Sequence, residues 1–169
     1  MADAVEQIEA LGPVSIPVRK LVELIAASPS FQARVKVTTA TDAFGFIHHP
    51  ELRVSSLDEI TGPLAVVGTE RFGLASVEPR FLRPSDCSLM MILSDDDRYP
   101  ERADLSQIDF ENFVGLVMAD IALAQGEDTN LTIESMELIE TCKSGPEVQG
   151  VDKRKAYWIA PIVVKWSRL

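Results

Sequence analysis

Histidine, cysteine and aromatic residues are scarce in this chain, and their scarcity narrows the classes of protein it can belong to. The 169 residues include two histidines and two cysteines, and 7% are aromatic. Two cysteines cannot build the disulfide framework of a small secreted domain, and no CxxC pair is present to begin a zinc site. Cys87 and Cys142 lie in or beside apolar runs, which predicts buried free thiols.

Basic residues are also in short supply. The chain has 16 Lys and Arg against 26 Asp and Glu, a formal net charge of −10. This balance excludes binding to nucleic acid by general attraction to phosphates, which needs clustered cations. The acidity is explained either by solubility or by a surface that repels DNA.

Long apolar runs and targeting signals are missing as well. No run reaches the length of a membrane-spanning helix, so we expect no membrane partner. Residues 1–10 are acidic and lack the basic and apolar regions of a signal peptide. The sequence therefore predicts a protein that is made and kept in a cytoplasm.

Sequence motifs of catalysis are absent too. There is no nucleophile elbow, phosphate-binding loop, dinucleotide fingerprint or HExxH. The histidines His48 and His49 are adjacent, and neighbouring side chains on an extended chain point to opposite sides, which disfavours a shared metal. We interpret them as part of a surface loop beside Pro50. The sequence predicts no catalytic residue, no cofactor and no metal, and hence a protein that is not an enzyme.

The length and the apolar fraction of 46% fit one globular domain. Residues 1–14 end in Gly12-Pro13 and are interpreted as a flexible arm, which leaves residues 15–169 as a single α+β domain. Ser15 is a candidate N-cap for a first helix that ends near Ser28-Pro29. Its core face repeats at helical spacing through Val18, Leu21, Val22 and Ile25.

Three further helical segments are predicted. Residues 29–35 form a short turn with Phe31 pointing inward, and residues 41–47 form a short helix capped by Thr41 or Asp42. The longest helix spans residues 106–125, where Ser106 and Asp109 resemble a capping box and Gly126 stands at the C′ position. Its apolar stripe comprises Phe110, Phe113, Val114, Val117, Ile121 and Ala124.

Four segments read as strands, and together with the helices they predict the fold class. The strands are residues 64–67, 87–94, 131–141 with a bulge near Ser135, and 155–166. Residues 48–63 and 69–86 are interpreted as connections, the second as a long loop or an irregular hairpin. The unbroken apolar run in 87–94 is typical of a strand covered on both faces. We predict an α+β fold with a mixed or antiparallel sheet of about four or more strands and helices packed on one face.

The closing strand has two apolar faces. Trp158, Ala160, Ile162, Val164 and Trp166 alternate on the face that predicts core, and Tyr157, Ile159, Pro161, Val163 and Lys165 lie on the other. Proline cannot donate to a ladder, so Pro161 indicates an edge strand or a bulge. An edge would be free to pack against a neighbouring subunit, which makes Tyr157, Pro161 and Trp166 candidate interface residues.

The run Asp95-Asp96-Asp97 is the most site-like feature. Acidic residues that follow a buried strand can hold Mg²⁺ or Ca²⁺, and Glu134 and Glu137 are possible partners in a nuclease-type centre. The spacing of a calcium loop is absent, and solvated charges at a strand end are the competing interpretation. A metal-dependent hydrolase that uses this cluster is therefore one alternative function.

Three segments together resemble the tail terminator and minor tail (tail-completion) proteins of tailed bacteriophages. They are LVELIAASPSFQ at residues 21–32, the strand SLMMILS at 88–94 followed by the helix DFENFV at 109–114, and the closing YWIAPIVVKW at 157–166. The resemblance covers most of residues 16–169. It implies a structural virion protein that forms a ring, usually a homohexamer, which caps the tail tube and joins it to the neck.

The resemblance also implies partners and a place. The ring would bind the tail tube protein and a neck or connector protein, in the tail of a virion assembled in the host cytoplasm. DNA would pass through an acidic lumen without specific binding. Loops at residues 69–86 and 143–153 depart from a minimal terminator and leave open a head-completion or other neck adaptor. A monomeric host-side adaptor is the remaining alternative.

Overall fold

A computed structural model describes residues 15–48, 62–74, 84–125, 132–144 and 156–167. The helices are α1 (Ser15–Ala27), α2 (Pro29–Val35), α3 (Ala40–Ala43) and α4 (Ala103–Ala124), with a 3₁₀ turn at Phe44–Phe46. The strands are β1 (Ile47–His48), β2 (Leu64–Leu74), β3 (Pro84–Asp96), β4 (Thr132–Leu138), β5 (Cys142–Ser144) and β6 (Tyr157–Ser167).

The strands form one mixed six-stranded sheet in the order β1-β2-β3-β6-β4, with β5 pairing β6 beyond the end of β4. Only the β1–β2 pair is parallel among the described pairs. Since β6 runs antiparallel to both β3 and β4, those two strands point the same way, and α4 makes the crossover between them. The predicted α+β class, with helices on one face of a mixed sheet, is confirmed.

The helices cover one face of the sheet, which we call the inner face. On β3 this face carries Leu89, Met91 and Leu93, and all three are fully buried. The predicted core positions of α1 are confirmed, because all four lie at 2% exposure or less: Val18, Leu21, Val22 and Ile25. The predicted inward position of Phe31 is confirmed as well.

The predicted apolar stripe of α4 also packs inward, except at its last member. Phe110, Phe113, Val114, Val117 and Ile121 are buried, whereas Ala124 is exposed. The ring of Phe110 stacks on Trp158 with centroids 6.0 Å apart, which joins the helix to the start of β6. This contact fixes α4 above the inner face.

Strands β2 and β3 are longer than the apolar pattern predicts. They pair from Leu64 opposite Ser94 to Leu74 opposite Pro84, with register shifts after Thr69 and after Gly73. The irregular hairpin is therefore the correct reading of the paired parts of residues 69–86. Polar residues extend the ladder here because backbone pairing needs no apolar side chain.

The two faces of β3 are buried to different degrees. On the outward side Ser88 and Ser94 are buried and Met90 and Ile92 are part-exposed, whereas Leu89, Met91 and Leu93 on the inner side are fully buried. The continuous apolar run therefore marks a sheet with two apolar faces, of which one packs on the helices.

The bulge near Ser135 is confirmed. Ile133 pairs with Trp166 and Ser135 with Lys165, so Glu134 is the extra residue. The strand ends at Leu138, and the predicted continuation to residue 141 is wrong, because the chain breaks from the ladder and re-enters it as β5. Cys142 in β5 is exposed, which corrects the prediction of a buried thiol.

Several caps differ from the predicted ones. Thr39 caps α3 by accepting from Asp42 N at 3.1 Å, so neither Thr41 nor Asp42 is the cap. Helix α4 begins at Ala103 rather than at Ser106, with Arg102 in the N-cap position. In each case the helix extends further towards its N-terminus than the capping signature indicates.

Some predictions lie outside the described residues. These are the arm at residues 1–14, His49 beside Pro50, Gly126, and most of the connections at 48–63 and 143–153. Cys87 belongs to β3, but its side chain is also outside the described part. Within the described ranges, no helix combines the length and the hydropathy that crossing a membrane requires.

Candidate functional site

The closing strand is interior, so the prediction of an edge at Pro161 is wrong. Strand β6 pairs with β3 on one side and with β4 and β5 on the other. The carbonyl of Pro161 accepts from Ile139 N at 3.0 Å, which shows that its nitrogen also faces the β4 side. Opposite it, β4 has ended at Leu138 and β5 has not begun. The missing N–H therefore falls at a break in the neighbouring strand, which lets a proline sit inside a sheet.

The two tryptophans of β6 both belong to the core, as the alternation predicts. Trp158 is 7% exposed and Trp166 is 5% exposed. Trp158 Nε1 donates to Ser106 Oγ at 2.7 Å, whereas the buried Nε1 of Trp166 has no hydrogen-bond partner among the described residues. Tyr157 and Pro161 lie part-exposed on the outward face. Their role at a subunit interface, with Trp166, stays a prediction.

Asp95 is a buried ion-pair centre rather than a solvated charge. Its side chain is 1% exposed and contacts Arg34 Nε and Arg98 Nε through Oδ2, the second at 3.1 Å. Its Oδ1 accepts from Asp96 N at 2.8 Å. Two cations and a backbone donor therefore occupy three of the roughly four acceptor sites of this carboxylate and offset its charge, so it already has the partners that a metal ion would have to replace.

Arg34 joins three elements through one guanidinium. Besides Asp95 it holds Asp109 on α4 through both Nη atoms, and its Cζ lies 4.9 Å from the ring centroid of Phe113. Burial lowers the pKa of Arg34, but the bonds to Asp109 and Asp95 outweigh that and raise it above its ordinary value. The residue is a positive centre that fastens α2 and α4 to the end of β3.

Asp97 is equally engaged. Its Oδ1 accepts from Ser106 Oγ and from Tyr99 N at 3.2 Å, and Lys143 Nζ lies 2.5 Å from its Oδ2. Burial raises the pKa of this carboxyl, but Lys143, Ser106 and Tyr99 together hold it below the ordinary value. Ser106 is therefore a buried link between β3 and Trp158, not the helix cap that its sequence context predicts.

The acidic run does not converge on one point. Asp95 faces the inner side of β3, whereas Asp96 lies on the outward side, where its buried Oδ1 has no hydrogen-bond partner within the part of the chain that the structure describes. Glu137 pairs in register with Val163, five positions along β6 from the partner of Asp95, and Glu134 is exposed in the bulge. Within the described ranges, no three His, Cys, Asp or Glu side chains form a group that could hold a metal ion.

A pocket of about 690 Å³ opens beside this network. Lys36 and Arg98 supply cations to its wall, Phe46 supplies an apolar side, and Asp95 and Asp96 are among its acidic groups. Arg34 and Arg98 neutralise Asp95 and Lys143 pairs with Asp97, so Asp96 is the acidic group of this lining that has no ion pair among the described residues. His48, predicted in a loop, lies instead in β1, where burial lowers the pKa of its imidazole.

The surface feature that stands out is the outer face of α4. All large apolar side chains that are exposed in the described part of the chain lie on this helix or flank it: Tyr99, Leu105, Ile108, Leu116, Leu123 and Ile139. Leu116 is 55% exposed and Leu123 is 83% exposed. We call Leu105, Ile108, Leu116, Ala119 and Leu123 the outer stripe of α4, because their spacing places them on one side of the helix, where the exposed Asn112 lies between Ile108 and Leu116.

The outer stripe carries no free charge. Helix α4 has four acidic residues and no basic one, and each acid is bound within the chain. Asp104 pairs with Arg102, Asp109 with Arg34, and Asp120 accepts from Ser28 and Ser30. Glu111 accepts from Gln107 at 2.8 Å and from Thr141 at 3.0 Å. From Gly115 to Ala124 the exposed positions hold only glycine, alanine and leucine.

Sequence reasoning found the buried stripe of α4 and missed the outer one. The signal was present, because Leu105, Ile108, Leu116 and Leu123 recur at separations that return to one face of a helix. An apolar surface on both sides is typical of a helix that is buried on both sides, whereas the outer stripe of α4 is exposed in this chain. The chain matches no protein-family model, and no curated protein matches it.

Proposed function

We propose that the protein is a structural virion protein of the tail terminator kind, which forms a ring that caps a phage tail tube and joins it to the neck. Under this proposal it is not an enzyme. It acts through defined contacts with copies of itself, with the tail tube protein and with a neck protein, while DNA passes through an acidic lumen.

The outer stripe of α4 is the observation that carries the proposal. Burial of apolar surface is favourable by roughly 25 cal/mol of free energy per Å². Association that covers the exposed leucines is therefore favoured. Contiguous apolar patches on soluble domains mark interaction surfaces. A protein whose work is assembly needs such a surface permanently available.

The engagement of the acidic cluster supports the same proposal. A hydrolytic metal centre needs carboxylates with free oxygens aimed at a common point. The carboxylates of Asp95 and Asp97 instead bind side chains of the protein itself, which are those of Arg34, Arg98, Ser106 and Lys143. These bonds fasten helices to the sheet, which suits a rigid building block.

Light scattering on the purified protein tests the proposal. We expect a defined oligomer, either in free solution at high concentration or on addition of polymerised tail tube protein, and rings in negative-stain micrographs. Leu123→Glu should lower the oligomer mass. Gln107→Glu, an exposed change on the same helix that leaves the stripe intact, is the matched control. A wild-type chain that stays monomeric with and without tail tubes would overturn the proposal.

A further inference from the structure

The pocket at the end of the sheet has unpaired charges of both signs in its lining. It lies where β3 ends, beside the start of β2 and of β6, and the C-terminal end of α2 contributes one wall. Its volume of about 690 Å³ falls within the range of about 300–1,000 Å³ that is usual for ligand pockets. Two of its three carboxylates, those of Asp95 and Asp97, are neutralised by ion pairs. The charged groups that remain decide which ligand the pocket suits.

Asp96 is the negative group of the lining that lacks compensation. Its Oδ1 is buried and receives no hydrogen bond from any described residue. A carboxylate that has lost water from one oxygen without gaining a donor there is poorly solvated, which favours a cation nearby. The residue as a whole is part-exposed, so a ligand in the pocket can come beside it. An ammonium group suits this position, because it brings three donors together with its charge.

Two positive groups line the same pocket and retain free donors. Lys36 is exposed and forms no ion pair with any described residue. Arg98 donates to Asp95 through Nε at 3.1 Å, and its two Nη atoms make no hydrogen bond within the described ranges. An ammonium and a guanidinium edge are groups that bind a carboxylate. A ligand with only a positive charge would be repelled by these two residues, and a ligand with only a negative charge would be repelled by Asp96.

The uncharged part of the lining is apolar. It consists of Val35, Phe46, Pro63, Pro100 and Ala156. The ring of Phe46 is partly buried and packs against the core, so this wall is supported from behind. Ligand pockets commonly combine such an apolar lining with a few charged groups that fix the orientation of the ligand. The ligand that suits this pocket therefore carries an apolar group as well as both charges.

We propose that the pocket binds a zwitterionic ligand with an apolar side chain, which is a free amino acid or a short peptide. Its ammonium group lies beside Asp96, its carboxylate lies beside Lys36 and Arg98, and its apolar side chain packs against Phe46. The binding site goes beyond the proposed function and does not rest on it, because a single copy of the chain supplies all of these groups.

Isothermal titration calorimetry with matched ligands tests the proposal. The ligands are L-leucine and the dipeptide leucyl-leucine, each with an N-acetylated form that lacks the ammonium and an amidated form that lacks the carboxylate. We expect at least one zwitterion to bind, and both of its modified forms to bind at least about tenfold more weakly. Binding of leucine would assign the pocket to a free amino acid, and binding of the dipeptide alone would assign it to a peptide. Equal binding of a modified form, or no binding of either zwitterion at millimolar concentration, would overturn the inference.

Two variants and a matched control locate the bound zwitterion. Asp96→Asn removes the charge and keeps the shape of the side chain. Lys36→Asn removes the ammonium and keeps a residue that tolerates the left-handed backbone there, where φ is 60°. Each should weaken binding about tenfold or more. Glu134→Gln, an exposed change in the bulge of β4 outside the pocket lining, should bind like the wild type.

The outcomes separate this inference from the proposed function. Because Lys36 is exposed, Lys36→Asn should remain folded and give a reading even if Asp96→Asn is unstable. Both variants should keep the oligomer mass of the wild type in light scattering. Binding that survives the change at Lys36 and the change at Asp96 would place the ligand elsewhere and overturn the inference, while the proposed function would still stand.

Discussion

The two faces of α4 are both apolar, but one is buried against the sheet and the other is exposed. The inner face buries Phe110, Phe113 and Ile121 against the sheet, and the outer face exposes Leu116 and Leu123. The difference teaches that apolar surface has two uses in one helix. The inner face stabilises the folded chain, and we infer that the outer face stabilises the assembly.

The inner face should give the largest effect on folding. Phe110→Ala removes the ring that stacks on Trp158 and leaves a cavity in the core, so we expect a loss of about 3–5 kcal/mol in the free energy of unfolding. Urea unfolding at high dilution measures it. A loss below about 1 kcal/mol would mean that α4 is not anchored through this ring.

Loss of the Arg34 ion pairs should give the second-largest decrease in the free energy of unfolding. Arg34→Met leaves Asp95, a carboxylate that is 1% exposed, with Arg98 alone, and we expect a loss of about 3 kcal/mol. In a double-mutant cycle with Asp95→Asn, the two losses should be clearly less than additive. Additive losses would show that the two side chains act independently.

The two tryptophans of β6 offer a matched pair. Trp158→Phe removes the Nε1 bond to Ser106 and should cost about 2 kcal/mol, whereas Trp166→Phe removes an Nε1 that bonds nothing among the described residues and should cost less. Thermal unfolding of both variants ranks them. A reversed order would show that the Ser106 bond contributes nothing to the attachment of α4.

Acid should weaken the attachment of α4 to the end of β3, because it protonates Asp97. Its pKa is lower in the folded chain than the ordinary 3.8, so it contributes stability that is present above about pH 4 and is lost as the pH falls through the folded pKa. Asp97→Asn should cost about 1 kcal/mol at neutral pH and flatten the decline of stability in acid. Glu101→Gln is the exposed control, and an equal flattening there would exclude a specific role for Asp97.

The outer face should give the smallest effect on folding. Leu123→Ser removes a side chain that is 83% exposed, so the free energy of unfolding of the dilute monomer should change by no more than about 0.5 kcal/mol. The oligomer mass should fall in the same variant. A large loss of monomer stability would mean that Leu123 belongs to the fold and not to the assembly.

Periodicity along the chain was enough to predict the fold class, the buried faces of α1 and α4, and a bulge near Ser135. These features depend on residues a few positions apart. The long-range contacts were out of reach, because nothing local distinguishes Ser106 as a cap from Ser106 as a buried bridge between Asp97 and Trp158. Serine commonly caps helices, but here the hydroxyl of Ser106 forms tertiary hydrogen bonds instead.

Pro161 is a second case in which the local sequence did not reveal a long-range contact. Its missing N–H predicted an edge strand or a bulge, and neither is present at Pro161, because the sequence could not show that a neighbouring strand is interrupted opposite it. The interruption is the break between β4 and β5. Likewise, the acidic run resembled a metal site because the local sequence does not reveal the cation that neutralises it. Arg34 lies 61 positions from Asp95 in the sequence.

The break opposite Pro161 has a consequence for how copies of the chain avoid associating wrongly. Long, flat, unpaired strand edges recruit other strands through their backbones and lead to aggregates. Here one border of the sheet is β1, only two residues long, and the other is divided into β4 with its bulge and the three-residue β5. Beyond Val66 the edge of β2 has no strand neighbour among the described residues, but register shifts after Thr69 and Gly73 make it irregular. Strand addition is therefore discouraged at both borders by short or irregular strands.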